Sequence, residues 1–266
     1  MGKRLAAVGF SCMDVYEKLG RSYPTGNGVD WGVHLARMGQ QVSVVSVVGE
    51  DSFGDQMFQA LGAEGIDVTH LRRESGNTCV MYMGLKDGVD RVHLRQVEGV
   101  MANFALTPED ERFVLEHDMV HTDLFGHVLG YLPQWHQAGI EVVMDFSVYS
   151  EDPTRHCEDL FPYVDYAFMS CGDTDEARVR QWIRHVQALG PKVVTATRGE
   201  KGSISFDDKG FHECGIRPAH VVNTVGAGDS YIAGFTYGLL KGWDVEQCMD
   251  HGAEVSAKTI EKFEPY

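Results

Sequence analysis

Short apolar runs alternate along the chain with stretches in which apolar residues return every three or four positions. Leu5–Gly9 is strand-length and ends in glycine; Val42–Val48 is richer in β-branched residues and runs into Gly49. Met119–His121, Val142–Asp145, Tyr166–Met169 and Val193–Thr197 read the same way. Between them Val29, Val33 and Ala36 fall on one helical face, as do Phe53, Met57 and Leu61 after Asp51-Ser52, and Ile232, Phe235 and Leu239 further on. Thr107-Pro108-Glu109-Asp110 combines a Thr cap, a proline at the first helical position and acid in the first turn, a helix start. Strands alternating with helices predict an α/β fold with a mainly parallel sheet covered on both faces.

One stretch departs from this rhythm. Thr78–Leu85 and Asp90–Arg95 are strand-like and flank Lys86-Asp87-Gly88-Val89, and Asp-Gly between such runs predicts a hairpin. Val80, Met81, Tyr82, Met83 and Leu85 place apolar groups on both of its faces. Two placements fit that pattern: a small lid that packs on a second copy of itself, or an antiparallel edge of the main sheet.

Composition narrows the class. Hydrophobic residues make up 43% of the 266 positions and charged residues 23%, a globular balance. No repeat, linker or charge block divides the chain, which predicts one domain over 1–266. The net charge of −16 disfavours nucleic acid and anionic membranes as partners, while leaving room for a small phosphorylated ligand. Cys12, Cys79, Cys157, Cys171, Cys214 and Cys248 are scattered without a CxxC pair, as in reduced cytoplasmic proteins. Met1-Gly2-Lys3-Arg4-Leu5 leads into a strand-like run and not a signal segment, and no apolar run reaches the roughly 20 residues of a membrane span. A soluble, cytoplasmic protein is expected.

The sharpest chemistry lies in Asn223-Thr224-Val225-Gly226-Ala227-Gly228-Asp229, directly before an amphipathic helix. Two glycines let successive N–H groups point one way, and the helix start adds partial positive charge, so the segment suits an anion. Asp229 at that mouth is placed to take a proton from a hydroxyl attacking a phosphoryl group. The same four residues, Gly-Ala-Gly-Asp, also suit a tight turn with an Asp cap. Arg95 and Glu98 close the hairpin; Arg95 fits a bidentate pair with a substrate carboxylate or a solvated surface charge. His121, His127 and His136 lack metal-ligand spacing and read as structural, although His121 ends a strand where ligands approach. Trp31, Met38, Met81 and Met83 read as packing. GxxxxGK[ST] and GxGxxG are both missing, so neither a P-loop kinase nor a dinucleotide enzyme is expected.

Asn223 through Phe235 resembles the C-terminal motif of the ribokinase-like (PfkB) carbohydrate kinases, Asp-Thr-x-Gly-Ala-Gly-Asp-x-Phe-x-Ala-Gly, with Tyr231 for the usual Phe. Gly9 and Asp14 sit where that family has its opening strand and a substrate Asp. Gly26-Asn27-Gly28-Val29-Asp30 resembles its Gly-rich substrate loop. Val48-Gly49-Glu50-Asp51-Ser52-Phe53-Gly54 resembles its Val-Gly-x-Asp-x-x-Gly block, and Thr197-Arg198-Gly199-Glu200-Lys201-Gly202 its nucleotide-side Thr-x-Gly-x-x-Gly. The motifs follow the family's order through nearly the whole chain.

The resemblance implies a three-layer α/β/α ribokinase-like sandwich with a small β lid, its strands drawn from about 11–17 and 77–97. It implies Asp229 as catalytic base, and Gly226, Ala227 and Gly228 as the anion hole. Asp14, Gly26, Asn27 and Asp30 would bind substrate, joined by Arg95 and Glu98. Thr197, Gly199 and Gly202, with Gly226 and Gly228, would bind ATP, and Mg2+ would bridge its phosphates largely through water. A homodimer through the lid is expected. Glu98–Leu106, Asp145-Phe146-Ser147 and Ala257-Lys258-Thr259-Ile260 resemble the members that phosphorylate the 6-hydroxyl of fructoselysine, an Amadori sugar–amino acid. Kinases of another small sugar or a nucleoside, and a non-catalytic binding relative, are the alternatives.

Four positions depart from the family pattern. Asn223 replaces an Asp that often helps to bind a monovalent cation, which leaves that cation open. Thr25 replaces a glycine, and Asp30 replaces an Asn, which would suit a substrate carrying an ammonium group or mean a different sugar. The Asn-x-x-Glu tied to magnesium and phosphate is replaced by Ser170-Cys171-Gly172-Asp173-Thr174-Asp175-Glu176, in which Asp173 or Glu176 could act indirectly on the metal.

Overall fold

All six apolar runs become neighbouring parallel strands of one sheet. The computed structural model describes residues 2–266. The chain begins with β1 (Arg4–Val8), β2 (Cys12–Tyr16), β3 (Arg21–Thr25), α1 (Asn27–Arg37), β4 (Gln41–Gly49), α2 (Ser52–Ala63) and β5 (Asp67–Glu74). The hairpin β6 (Val80–Lys86) and β7 (Asp90–Val97) precedes α3 (Pro108–Val114), β8 (Met119–Asp123), α4 (Leu132–Gln137), β9 (Glu141–Asp145) and β10 (Tyr166–Ser170). Then follow α5 (Glu176–Ala188), β11 (Val193–Thr197), β12 (Ser203–Asp207), β13 (Gly210–Cys214), α6 (Ala227–Leu240) and α7 (Val245–Thr259).

The larger sheet runs β13-β12-β11-β10-β9-β8-β1-β4-β5, parallel except at β12 and β13. Helices α1, α2, α6 and α7 cover one face through Trp31, Leu35, Met57, Leu61, Phe235 and Met249. On the other face α3, α4 and α5 contribute Val114, Trp135, Val179 and Ile183. Burial on both faces explains the continuous apolar runs of the inner strands. The edge strands β5 and β13 are partly exposed and polar, so they carry no such run. Helix α6 is buried nearly all round from Ser230 to Thr236, not on one stripe, because it lies between the sheet, α1 and α7.

A second sheet has the order β3-β2-β6-β7, with β2 parallel to β6 and the other pairs antiparallel. The hairpin therefore leaves the main sheet and pairs with β2. Its turn has positive φ at Asp87 (51°) and Gly88 (81°), as an Asp-Gly turn of the primed type requires. Strand β3 joins this sheet although its Arg-Ser-Tyr-Pro-Thr sequence carries little strand signal; the proline is tolerated because β3 is an edge.

Candidate active site

Five elements bring carboxylates together at one end of the parallel strands. Asp123 and Asp145 close the adjacent strands β8 and β9. Asp229 lies in the first turn of α6, and Asp30 in the first turn of α1. Asp14 comes from β2 of the small sheet. Burial pushes the carboxyls of Asp14, Asp123 and Asp229 each up to about 7. Neighbouring acids add to the shift: Asp145 acts on Asp123, and Asp145 and Asp123 act on Asp229. Asp30 is pushed well up by burial and by Asp229, and Asp145 is raised by burial. The site is thus a pocket of carboxylates that repel one another where water is scarce.

Fixed donors orient several of them. Asn27 Nδ2 donates to Asp145 Oδ2 at 2.8 Å, and the Ser147 amide donates to Asp145 Oδ1 at 2.7 Å. The Phe125 amide donates to Asp123 Oδ1 at 2.6 Å, and Thr25 Oγ1 donates to Asp30 Oδ2 at 2.8 Å. Among the described residues, Asp30 Oδ1 finds no hydrogen-bond partner.

Gly226 caps α6 with φ of 69°, and a Cβ there would stand 2.6 Å from Pro265 Cβ. Both the left-handed backbone and the close approach require glycine. The turn aims the unpaired N–H groups of the first turn of α6 outward beside Asp229, a geometry suited to anions. Gly26 serves α1 in the same way, with φ of 141° and Phe10 O 2.6 Å from where a Cβ would be.

Along the sheet, Thr197 ends β11 next to Ser170 at the end of β10, their hydroxyls 3.4 Å apart. Gly199 and Gly202 bound the turn before β12, and Arg198 N donates to Gly202 O at 2.8 Å. Asp173 pairs with Lys201 at 2.9 Å and is otherwise exposed. Glu176 is engaged by Arg180 and Arg198, both at 3.0 Å. Tyr231, where Phe is usual, shares a hydrogen bond of 2.9 Å with Ser203 Oγ, tying α6 to β12.

Arg95 lies on the exposed strand β7 with its guanidinium 3.9 Å over Tyr82, and Glu98 is exposed beyond it. The cation whose charge reaches Asp14, Asp30, Asp145 and Asp229, lowering the pKa of each, is Arg91. Its place just after the Asp-Gly turn was the signal in the sequence, because a hairpin tip is the part able to reach across a cleft. Asp123 also escaped the sequence reading; it stands at the carboxyl end of a parallel strand, where such sheets bind ligands. His121 is fully buried and stacked on Trp31, and burial lowers it to about 3. Among the described residues neither of its ring nitrogens finds a partner. His136 packs on Tyr163, and no cluster of His, Cys, Asp and Glu able to hold a metal forms among the described residues.

Comparison with known proteins finds kinases. Fructoselysine 6-kinase of Shigella flexneri is 38% identical over 259 residues, covering 97% of this chain and 98% of that protein. The fructosamine kinase FrlD of Bacillus subtilis is 31% identical over 96% of this chain and 90% of its own. Arabidopsis thaliana ribokinase, solved with ribose and ATP, superposes with a TM-score of 0.84 at 20% identity, covering 99% of this chain and 94% of that one. The family model of the pfkB carbohydrate kinases matches residues 14–266, and the chain belongs to that family of kinases.

Proposed function

We propose that the protein transfers the γ-phosphoryl group of ATP to the 6-hydroxyl of a fructoselysine-type Amadori sugar–amino acid. The relatives with fructosamine substrates support the substrate class. The reaction is carried by one observation: Asp229, beside the unpaired N–H groups of α6, holds a carboxyl pushed up to about 7. A base tuned near neutrality accepts the hydroxyl proton as the new O–P bond forms. Gly226, Ala227 and Gly228 cradle the transferring phosphoryl group. Asp14, Asn27 and Asp30 hold sugar hydroxyls on the other side, and Gly26 lets that loop approach. Arg91 supplies the charge that keeps the acids of the pocket usable as anions. Arg95 and Glu98 lie further out, where the amino-acid part of the substrate would emerge.

ATP lies along Thr197, Gly199 and Gly202, toward Gly226 and Gly228. Magnesium bound with the nucleotide would offset the charge of its phosphates and would be held largely through water. Asp173, paired with Lys201, and Glu176, paired with Arg180 and Arg198, are the carboxylates that would act on it indirectly. The protein works in the cytoplasm: its six cysteines are free thiols. No helix among the described residues is long and apolar enough to cross a membrane. Val92, Leu94 and Val97 stand exposed on the edge strand β7, which supports a homodimer that covers this edge.

A coupled ADP-release assay with Mg-ATP tests the reading. The panel is fructoselysine, fructose-asparagine, psicoselysine, fructose, ribose and adenosine, with Asp229→Ala alongside. Turnover on an Amadori compound that vanishes in the variant supports substrate and base together. Turnover only on a plain sugar or nucleoside overturns the substrate.

A further inference from the structure

The segment 263–266 touches four separate elements around the site. Pro265 packs against Gly226 so closely that a side chain there could not be accommodated. The Pro265 carbonyl accepts from His34 Nε2 at 2.9 Å; burial lowers His34 to about 4, so its ring is neutral at neutral pH. Tyr266 Oη donates to the carbonyl of Pro24 at 2.8 Å, immediately before the Thr25-Gly26-Asn27 loop. The Phe263 ring lies edge-on to Tyr16 at 5.0 Å, at the end of β2.

Asn223 closes the arrangement. It is fully buried, and its Nδ2 donates to Phe263 O at 2.9 Å and to Tyr16 Oη at 3.3 Å. Its Oδ1 accepts from the Val225 amide at 3.1 Å. One side chain therefore joins the segment, the small sheet and the turn that starts α6. An aspartate of the same shape would have no hydrogen to give to Phe263 O and would add a buried charge.

We infer that residues 263–266 form a positioning strap that holds the Gly226 turn in register with the substrate loop, with Asn223 and Tyr266 as its two anchors. The strap fixes where Asp229 and the N–H groups of α6 stand relative to a hydroxyl held by the loop at Asn27. Phosphoryl transfer depends on that alignment more than on covalent chemistry, and an error of about 1 Å can cost on the order of 100-fold. The inference rests on Asp229 being the base.

Its test is steady-state kinetics on Asn223→Asp and Tyr266→Phe, with Asp229→Ala as control and thermal melting of each. Asn223→Asp loosens the α6 end and should lower kcat about 10- to 100-fold. Tyr266→Phe frees only the substrate loop, and should raise the KM for sugar about 3- to 10-fold while leaving the KM for ATP within twofold. A role confined to stability would lower the melting temperature and leave both kinetic constants within twofold, which overturns the strap. If Asn223→Asp does not fold, the split between the two KM values in Tyr266→Phe decides. Full turnover in Asp229→Ala would instead remove the base assignment, a result distinct from either strap outcome.

Discussion

The backbone N–H of Arg91 donates to Thr224 Oγ1 at 3.3 Å, across 133 positions of sequence. Thr224 in turn donates its own N–H to Val89 O at 3.2 Å. The tip of the β6–β7 hairpin thus clasps the loop leading to Gly226, and the charge of Arg91 reaches the acids of the pocket. Charge on Arg91 lowers the pKa of Asp229. Arg91→Ala should therefore move the acid limb of the kcat/KM profile to higher pH, by about half a unit to one unit. An unmoved limb would take Arg91 out of the reacting centre.

Asp229 is pushed up to about 7. Below that pH its carboxyl carries a proton and cannot accept another. The wild-type kcat/KM should accordingly fall as pH drops through about 7, and stay level above it. Asp229→Asn keeps the shape and removes the base, with an expected loss of about 10²- to 10⁴-fold in kcat. Near-normal turnover would sink the assignment.

Asp123 is 1% exposed, and its carboxyl is raised from an ordinary 3.8 to about 7 by burial and then Asp145. The folded state binds its proton more tightly than the unfolded chain does. Stability from this group is therefore lost as pH rises from about 4 to 7. Asp123→Asn retains the acceptor for the Phe125 amide and removes the charge. It should stabilise the ligand-free protein on the order of 2 kcal/mol at pH 8, a rise of about 4–8 °C in melting temperature, and by much less at pH 5. Equal effects at both pH values would show that charge is not the cause.

Leu94 is 63% exposed on β7. If two copies meet there, Leu94→Asp places a charge in an apolar contact. Light scattering at micromolar concentration should give twice the mass of the 29.6 kDa chain for the parent and a single mass for the variant. A monomeric parent removes the dimer.

Asn223 offers N–H groups to Phe263 O and Tyr16 Oη and carries no negative charge. A neutral amide that turns its hydrogens toward those oxygens is a poor ligand for a monovalent cation. The initial rate in potassium chloride should match that in sodium or tetramethylammonium chloride within twofold. A large activation by potassium would contradict this.

The six inner strands were legible because burial on both faces demands unbroken apolar runs. Strands β5, β12 and β13 were not. β5 and β13 are the two edges of the sheet, where solvent on one side admits residues such as His70, Arg72 and Glu213, and β12 (Ser-Ile-Ser-Phe-Asp) is buried but alternates polar with apolar residues instead of running apolar. Cap signals were equally local: Asp51 accepts from the Gly54 amide at 2.8 Å, and Thr107 and Asp110 form a reciprocal box. The glycines at 26 and 226 have positive φ, a local reason, but the close approach of Phe10 and Pro265 that also requires them is tertiary. The two placements left open for the hairpin could not be separated by its pattern, since both bury one face of it.

The sequence alone determined the alternation of strands and helices, the helix starts, the glycine turn before Asp229 and the family those motifs belong to. These follow from neighbours in the chain, through periodicity, capping and backbone freedom. The family resemblance already implied a small lid drawn from about 11–17 and 77–97, as the β3-β2-β6-β7 sheet has it; only the tertiary structure decided that the charge of Arg91 and not of Arg95 reaches the acids, and that Asp123 joins them. It alone set residues 263–266 against Gly226. Such relationships join positions that are not neighbours in the chain, and which of many solvated charges meet is settled by packing, not by local pattern.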